Sequence, residues 1–206
     1  MAQNPKLPQR PKGPKIERSR ARPGPALQDE ALLAGWSHVA AKGGKAESRM
    51  VDVSKKPITR REARARAILR FPAGLLDLLW SGKGPKGPVL EMARAAGILA
   101  AKRTGELIPL CHPLGLDAVD VSFKRDGRDR LLIETRAANV GRTGVEMEAM
   151  TAAALAALTV YDMSKARSHA IELEQLCLLE KRGGRSGRWV RPEAAGGRAA
   201  SAARDA

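Results

Sequence analysis

Alternating apolar and polar residues mark several stretches of this chain as strands. Apolar residues occupy every second position in 119–123, and a glycine-containing turn at 126–129 separates this run from a returning strand predicted at 130–138. A period of two places the apolar residues on one face of a strand, and two strands joined by a short turn indicate a β-hairpin. Residues 171–180 alternate in the same way, and a shorter strand is predicted at 49–54.

Helical signals occupy the sequence between these strands. Thr59 and Glu62 form an S/T-x-x-E capping box, which predicts that a helix begins near Thr59. Prolines that suit a first helical position open segments at 72–80 and 88–103, and a long Ala- and Leu-rich helix is predicted at 146–167. The packing stripe expected for the third helix is Leu90, Ala93, Ala96, Gly97 and Ala100. Strands and helices mixed in this order predict an α+β layer fold with an antiparallel sheet.

The charge of the chain separates two tails from a central domain. The formal net charge is +15, of which residues 1–31 carry +4 and residues 181–206 carry +5. Residues 1–31 also hold six of the thirteen prolines and show no apolar periodicity. This composition is typical of disorder, so we expect disordered tails at 1–31 and 188–206 around one folded domain at 32–187. The moderately basic centre suits a polyanionic small molecule at least as well as a nucleic acid.

Composition also narrows the class of protein. Hydrophobic residues make up 43% of the chain, yet no apolar run approaches the ~20 residues of a membrane span. The basic N-terminal stretch lacks the apolar segment of a secretory signal. Cys111 and Cys177 are too few for a disulfide framework, and no cysteine or histidine pair shows the spacing of zinc ligands. We therefore expect a cytoplasmic protein with reduced thiols and no metal site.

Polar residues concentrate at 102–113 and 141–150, and again at Asp162 and Lys165. Charges are costly to bury unless they are paired, so such clusters are candidate sites. Asp162 and Lys165 lie three residues apart on a predicted helix and share a face, where a carboxylate beside an ammonium can exchange protons. An ordinary surface ion pair has the same spacing. The apolar run at 152–160 favours the site, because it predicts that this end of the helix is packed against something.

Two further groups carry candidate chemistry. Glu146 and Glu148 stand where the long helix is predicted to begin, where carboxylates stabilise a helix dipole without any ligand. Alternatively, they accept hydrogen bonds from the N–H edge of a purine-like ring. His112 precedes a proline, which holds its backbone extended. Neighbouring side chains of an extended segment point to opposite faces, so Cys111 and His112 are not expected to pair as thiolate and imidazole.

Three long motifs resemble a single family. MVDVSKKPITRREARA at 50–65, KRTGELIPLCHPL at 102–114 and GRTGVEMEAMTAAALAALTVYDMSKA at 141–166 look like the MoaC family of molybdenum-cofactor biosynthesis, the cyclic pyranopterin monophosphate synthases. The resemblance covers roughly residues 35–187, and the order of several long motifs makes it specific. The basic glycine-rich loop at 181–187 resembles the family's C-terminal segment, and such loops can cradle phosphate.

The resemblance implies a lyase that converts 3′,8-cyclo-7,8-dihydroguanosine 5′-triphosphate into cyclic pyranopterin monophosphate and pyrophosphate. It also implies a ferredoxin-like topology and a hexamer built as a trimer of dimers. No redox cofactor is expected; Mg²⁺ could accompany pyrophosphate, although no carboxylate cluster is dedicated to a metal. The catalytic residues that it implies are Asp162, Lys165, His112 and Lys102. The substrate-binding residues that it implies are Leu110, Cys111, His112, Glu146, Met147, Glu148, Lys86 and Arg61.

The length of the last predicted helix bears on how the site is assembled. Glu148 and Asp162 are fourteen residues apart, which is about 21 Å along one helix. A nucleotide triphosphate does not easily make tight contacts at both positions. We therefore expect each site to combine residues of two subunits in a two-fold homodimer or a larger oligomer.

A second interpretation, from a different class, is a basic nucleic-acid-binding protein. It depends on the net charge alone. Aromatic residues make up 3% of the chain, which disfavours base-stacking surfaces, and no nucleic-acid-binding motif is visible. Nucleic acid is therefore the less favoured partner, and a small nucleotide-derived substrate the more favoured one.

Overall fold

The computed structural model describes residues 39–42, 45–82 and 87–192. Lys86, the predicted tail at 1–31 and the chain beyond 192 lie outside the described residues. The strands within them are β1 (Val39–Lys42), β2 (Lys45–Ser48), β3 (Thr59–Arg70), β4 (Ala118–Asp126), β5 (Arg130–Gly141), β6 (Glu172–Arg182) and β7 (Trp189–Val190). The helices within them are α1 (Leu75–Trp80), α2 (Val89–Lys102), α3 (Thr104–Leu107) and α4 (Glu146–Ser164).

Contacts divide the chain into a unit at 1–48 and a unit at 49–206. In the described part of the first, β1 and β2 form an antiparallel pair with Val39 opposite Ser48. The second unit holds the remaining elements in the order strand, helices, two strands, helix, two strands.

The strand β3 corrects two of the sequence predictions. The segment at 49–54 is not a strand, and no helix begins at Thr59, because residues 59–70 form a strand instead. Ala63, Ala65, Ala67 and Leu69 are buried while the residues between them face the other side of the sheet. This alternation has the period of a strand. Ala, Arg and Glu favour helices locally, but burial between two neighbouring strands overrides that propensity.

The described sheet of the second unit is antiparallel throughout, with strand order β4-β5-β3-β6-β7. The strand β3 pairs along its whole length with β5, from Thr59 opposite Gly141 to Arg70 opposite Arg130. It pairs on its other side with β6, where two register shifts interrupt the ladder. The predicted hairpin is confirmed as β4 and β5. These facts confirm an α+β fold built on an antiparallel sheet.

The helices α2 and α4 cover one face of this sheet and form the core with it. The helix α4 contributes Ala149, Ala152, Ala153, Ala156, Ala157 and Val160, all fully buried. Small residues allow close approach, and Gly97 of α2 lies directly against this helix. The stripe predicted for α2 is confirmed at Ala93, Gly97 and Ala100. The hydroxyl of Thr135 on β5 donates to the Ala149 carbonyl across the sheet–helix interface at 2.7 Å.

The opposite face of the sheet carries a network of ion pairs. Glu134 is its centre and lies within 2.5 Å of Arg66, 3.3 Å of Lys124 and 3.6 Å of Arg64. Burial alone would raise the pKa of Glu134, but the hydrogen bonds and charges of Arg66 and Lys124 lower it overall. The arginines at 60–66 are therefore strand residues, and two of them, Arg64 and Arg66, pair with Glu134 across the sheet.

A short strand extends the fold into the predicted C-terminal tail. The strand β7 falls within the segment at 188–206 that the sequence predicts to be a disordered tail, so regular structure reaches Val190. It pairs with β6, where Lys181 lies opposite Trp189.

In the part of the chain that the structure describes, no helix combines the length and the apolar character needed to cross a bilayer.

Candidate functional site

The N-terminal end of α4 holds two glutamates in different surroundings. Glu148 is 3% exposed, and its burial, together with the negative charge of Glu146, raises its pKa from 4.5 to about 7. Glu146 is less buried and forms an ion pair with Lys181 at 3.0 Å. One carboxyl here is thus neutralised by a lysine, whereas the other holds or releases a proton near neutral pH.

The segment at 110–112 reaches the same end of α4. Burial raises the pKa of the half-buried Cys111 thiol, and the charge of Glu148 adds to this effect. Leu110 is partly buried, whereas Met147 is exposed on the first turn of α4. The structure therefore brings Cys111 close to Glu148, as expected for two parts of one site.

Arg61 adds a positive charge at this corner. It lies on the helix-covered face of β3, and its Nε donates to the Gly141 carbonyl at 3.0 Å. Among the described residues no carboxylate lies within ion-pair distance of its guanidinium, although the arginines further along β3 are paired. A half-buried guanidinium that has a neutral acceptor retains its charge and N–H donors for an anion.

His112 is held by the backbone of Val51. Its Nε2 lies 2.8 Å from the Val51 carbonyl oxygen. A carbonyl can only accept a hydrogen bond, so this contact places a proton on Nε2 and leaves Nδ1 as the acceptor in the neutral ring. Gly105 packs against the same segment, because a Cβ there would lie 2.9 Å from Cα of Pro113 and 3.1 Å from the His112 carbonyl oxygen.

The predicted pair at the C-terminal end of α4 is formed. Lys165 Nζ lies 2.7 Å from Asp162 Oδ1, and the hydrogen bond to Asp162 raises the pKa of Lys165. This end of the helix is packed, as expected, because Val160 and Ser164 are buried, but Asp162 and Lys165 lie on its outer side and are 65% and 49% exposed. The pair lies about 21 Å along the helix from Glu148.

The remaining cationic residues of the sequence prediction lie away from the corner around Glu148 or outside the described residues. Lys102 is exposed at the end of α2, and Lys86 lies outside the described residues. At the end of β6, Arg182 binds Glu180 at 2.5 Å, so it is engaged away from the helix-covered face, while Arg185 in the loop that follows is exposed. None of the three described residues, Lys102, Arg182 and Arg185, has a described contact with the corner around Glu148.

Two residues near this corner were missed by the sequence predictions. Lys181 lies opposite the buried Ala63 in the sheet and therefore faces the helices. The alternation of β6 could have indicated that orientation. Asn139 lies opposite Arg61 and is 3% exposed, and its Oδ1 has no hydrogen-bond partner among the described residues. A buried oxygen left without a partner costs about 1–3 kcal/mol, so it marks a place where a bound molecule would be stabilised.

Across residues 45–82 and 87–192, no three His, Cys, Asp or Glu side chains come together as a possible metal site.

Comparison with known proteins gives one consistent result. The sequence profile of the MoaC family matches residues 50–184. "Cyclic pyranopterin monophosphate synthase 1" of Mycobacterium bovis is 51% identical over 159 residues, which cover 77% of this chain and 91% of that protein. "Cyclic pyranopterin monophosphate synthase 3" of Mycobacterium tuberculosis is 53% identical over 71% of this chain and 83% of its own. The "Cyclic pyranopterin monophosphate synthase" of Thermomicrobium roseum is 50% identical over 78% and 96%.

Proposed function

Because this chain belongs to the MoaC family, we propose that it is a cyclic pyranopterin monophosphate synthase of molybdenum-cofactor biosynthesis. It converts 3′,8-cyclo-7,8-dihydroguanosine 5′-triphosphate into cyclic pyranopterin monophosphate and pyrophosphate. One observation carries the proposal. The span that matches the family, residues 50–184, includes every described residue of the candidate site, from Arg61 on β3 to Lys181 at the end of β6.

The corner at the start of α4 supports a role in holding the substrate. In this proposal Glu146 and Glu148 bind the N–H edge of the purine-derived ring. A carboxyl with a pKa of about 7 can accept a hydrogen bond as the anion and donate one as the acid. Arg61 then attracts the triphosphate, because a half-buried guanidinium that has no ion-pair partner among the described residues favours an anion.

Four residues carry the proton transfers in this proposal. His112 offers Nδ1 as a base, since its Nε2 is engaged with Val51. Lys102 stands at the exposed end of α2. Asp162 and Lys165 form an acid–base pair at the far end of α4. We further propose that the reaction uses no redox cofactor and that any Mg²⁺ requirement comes with the pyrophosphate product.

The distance between the two ends of α4 supports a site shared by two subunits. Asp162 and Lys165 are exposed in the single chain, about 21 Å from Glu148, so a second chain is needed to enclose them beside a substrate. The outer sides of α2 and α4 also expose Met92, Leu99 and Leu158, which are half or more accessible. We propose a homo-oligomer, namely a hexamer built as a trimer of dimers.

Two further proposals concern topology and location. The second unit begins with a strand–helix–strand–strand–helix–strand order, and the four strands β6, β3, β5 and β4 are adjacent in that sequence. This arrangement supports a ferredoxin-like topology. Cys111 and Cys177 are both free thiols, which supports a location in the reducing cytoplasm.

The experiment that tests the function is turnover of the cyclic nucleotide by the purified chain. The full chain and a form lacking residues 1–31 and 193–206 should both release pyrophosphate and form the cyclic pyranopterin product. The shortened form tests whether the basic tails matter, and it is expected to keep turnover while losing any affinity for DNA. Absence of product from the full chain would overturn the proposal, and DNA binding that survives removal of the tails would favour the nucleic-acid interpretation.

A further inference from the structure

Arg61 is held on two sides by backbone from distant parts of the chain. Its Nε donates to the Gly141 carbonyl at the end of β5, and its guanidinium lies against Gly184 in the loop after β6. We propose that Gly184 is a positioning residue for Arg61, because a missing side chain at 184 leaves the space in which the guanidinium is held ready for a phosphate group. This inference rests on the proposed function, in which Arg61 contacts the substrate's phosphates.

The loop reaches Arg61 through two consecutive glycines in left-handed conformation. Gly183 has φ +95° and Gly184 has φ +71°, a region that residues with a side chain rarely adopt. A Cβ at 183 would overlap the Arg60 carbonyl oxygen, and one at 184 would overlap Nη1 of Arg61 and lie 3.0 Å from its Cζ. The two glycines therefore have different neighbours. Gly183 lies against the backbone of Arg60, and Gly184 lies against the guanidinium of Arg61.

That difference makes position 184 informative. Backbone cannot move away from an added Cβ at 183 without displacing the edge of β3. The guanidinium of Arg61 can move away from an added Cβ at 184, because it ends a flexible side chain. An alanine at 184 should therefore leave the loop in place and push the guanidinium away from its position at Gly141. This variant changes the orientation of the Arg61 side chain, whereas Arg61→Ala removes the side chain.

The charge around Arg61 explains why its direction matters. Arg66 and Arg70 on the same strand are fixed by carboxylates at 2.5 and 2.6 Å. For Arg61, the described residues provide no such carboxylate, so two contacts with neutral backbone set the direction in which its donors point. A guanidinium binds phosphate through a planar pair of N–H groups, so its orientation decides whether that pair meets the anion.

The experiment titrates inorganic pyrophosphate into the full-length protein by calorimetry. The proteins compared are the wild type, Arg61→Ala, Gly184→Ala, the double variant and the control Gly127→Ala. Gly127 lies in the β4–β5 turn with φ +69°, and the nearest atom to a Cβ there is 4.0 Å away. The control thus has the same left-handed backbone cost as Gly184→Ala without a close neighbour. Both should lower the Tm alike.

We expect Arg61→Ala to weaken pyrophosphate binding about tenfold, the effect of losing one charge-assisted contact. Gly184→Ala should weaken it by a similar factor, Gly127→Ala should stay within about twofold of the wild type, and the double variant should bind no more weakly than Arg61→Ala. Wild-type affinity in Gly184→Ala would overturn the inference. It would equally be overturned by a double variant whose loss is the product of the two single losses.

Turnover measured in parallel separates this inference from the proposed function. If the wild type binds pyrophosphate and shows the pattern above without converting the cyclic nucleotide, the proposed function fails and the role of Gly184 stands. If turnover is normal but pyrophosphate binds equally well to the wild type and Arg61→Ala, or does not bind at all, the anion role of Arg61 fails. The inference about Gly184 is then overturned with it, while the proposed function stands.

Discussion

Replacing Glu148 with glutamine removes a buried carboxyl while keeping its shape. Glu148 is 3% exposed at the start of α4, and its pKa is raised from 4.5 to about 7, first by burial and then by the charge of Glu146. The folded protein therefore binds this proton more tightly than the unfolded chain does. Below pH 4.5 both states are protonated, and above pH 7 both are ionised.

The direction and size of the effect follow from these two values. Between pH 4.5 and 7 the folded state holds more protons than the unfolded state, so the wild type loses stability as the pH rises. A shift of this size corresponds to about 3 kcal/mol at 1.36 kcal/mol per pKa unit. The Glu148→Gln variant has no group to ionise there. Its free energy of unfolding relative to the wild type should therefore increase by about 3 kcal/mol from pH 4.5 to pH 8.

The assay is denaturant unfolding of both proteins at pH 5, 6, 7 and 8, at one protein concentration because assembly couples to stability. The control is Glu106→Gln, which removes a carboxylate that is exposed on α3. That control should show a difference from the wild type that is small and nearly independent of pH. A Glu148→Gln difference that changes by less than about 0.5 kcal/mol over this range would refute the burial of a high-pKa carboxyl at 148.

Three further predictions use other parts of the structure. Glu134→Gln should lower the free energy of unfolding by about 1–2 kcal/mol at pH 7. Because the pKa of Glu134 is lowered in the folded state, denaturant titrations should show this difference shrinking as the pH falls below 4.5. Gly105→Ala should reduce kcat about 10–100-fold by displacing the segment of His112, the residue proposed as a base, whereas Gly115→Ala, with nothing within 4 Å, should keep kcat near that of the wild type. Asp162→Ala and Lys165→Ala should each abolish turnover yet leave the free energy of unfolding nearly unchanged, because the pair is exposed; near-normal product formation by either variant would remove that residue from the reaction.

Local patterns were sufficient for some elements and misleading for β3. The β4–β5 hairpin is predictable because its alternation and its turn at 126–129 are contiguous in sequence. The capping box of Thr59 and Glu62 is an equally local signal, yet these residues belong to a strand. In the sheet, Thr59 pairs with Gly141, about 80 residues away along the chain, and Glu62 pairs with Arg182, about 120 residues away. No local window contains the pairing that overrides helix propensity here.

The candidate site likewise combines features that are visible in the local sequence with contacts between residues far apart in the chain. The polar clusters around His112 and Glu148 are visible in the sequence, and the structure brings Cys111 to Glu148 at the start of α4. The contacts that define the surroundings of Arg61 and Glu146 are long-range. Lys181 reaches Glu146 from the end of β6, and the position of Arg61 depends on Gly141 at the end of β5. Residue types alone could suggest these side chains but could not pair them.

In the proposed synthase, the two ends of α4 serve active sites of different subunits. The most direct measurement mixes a Glu148→Ala subunit with an Asp162→Ala subunit, each inactive alone, under conditions in which subunit exchange is demonstrated. With random pairing half of the dimers are mixed, and each mixed dimer has one intact site of two, so about a quarter of wild-type turnover should return. A mixture that stays inactive although its subunits exchange would place Glu148 and Asp162 in the same chain's site and contradict the account.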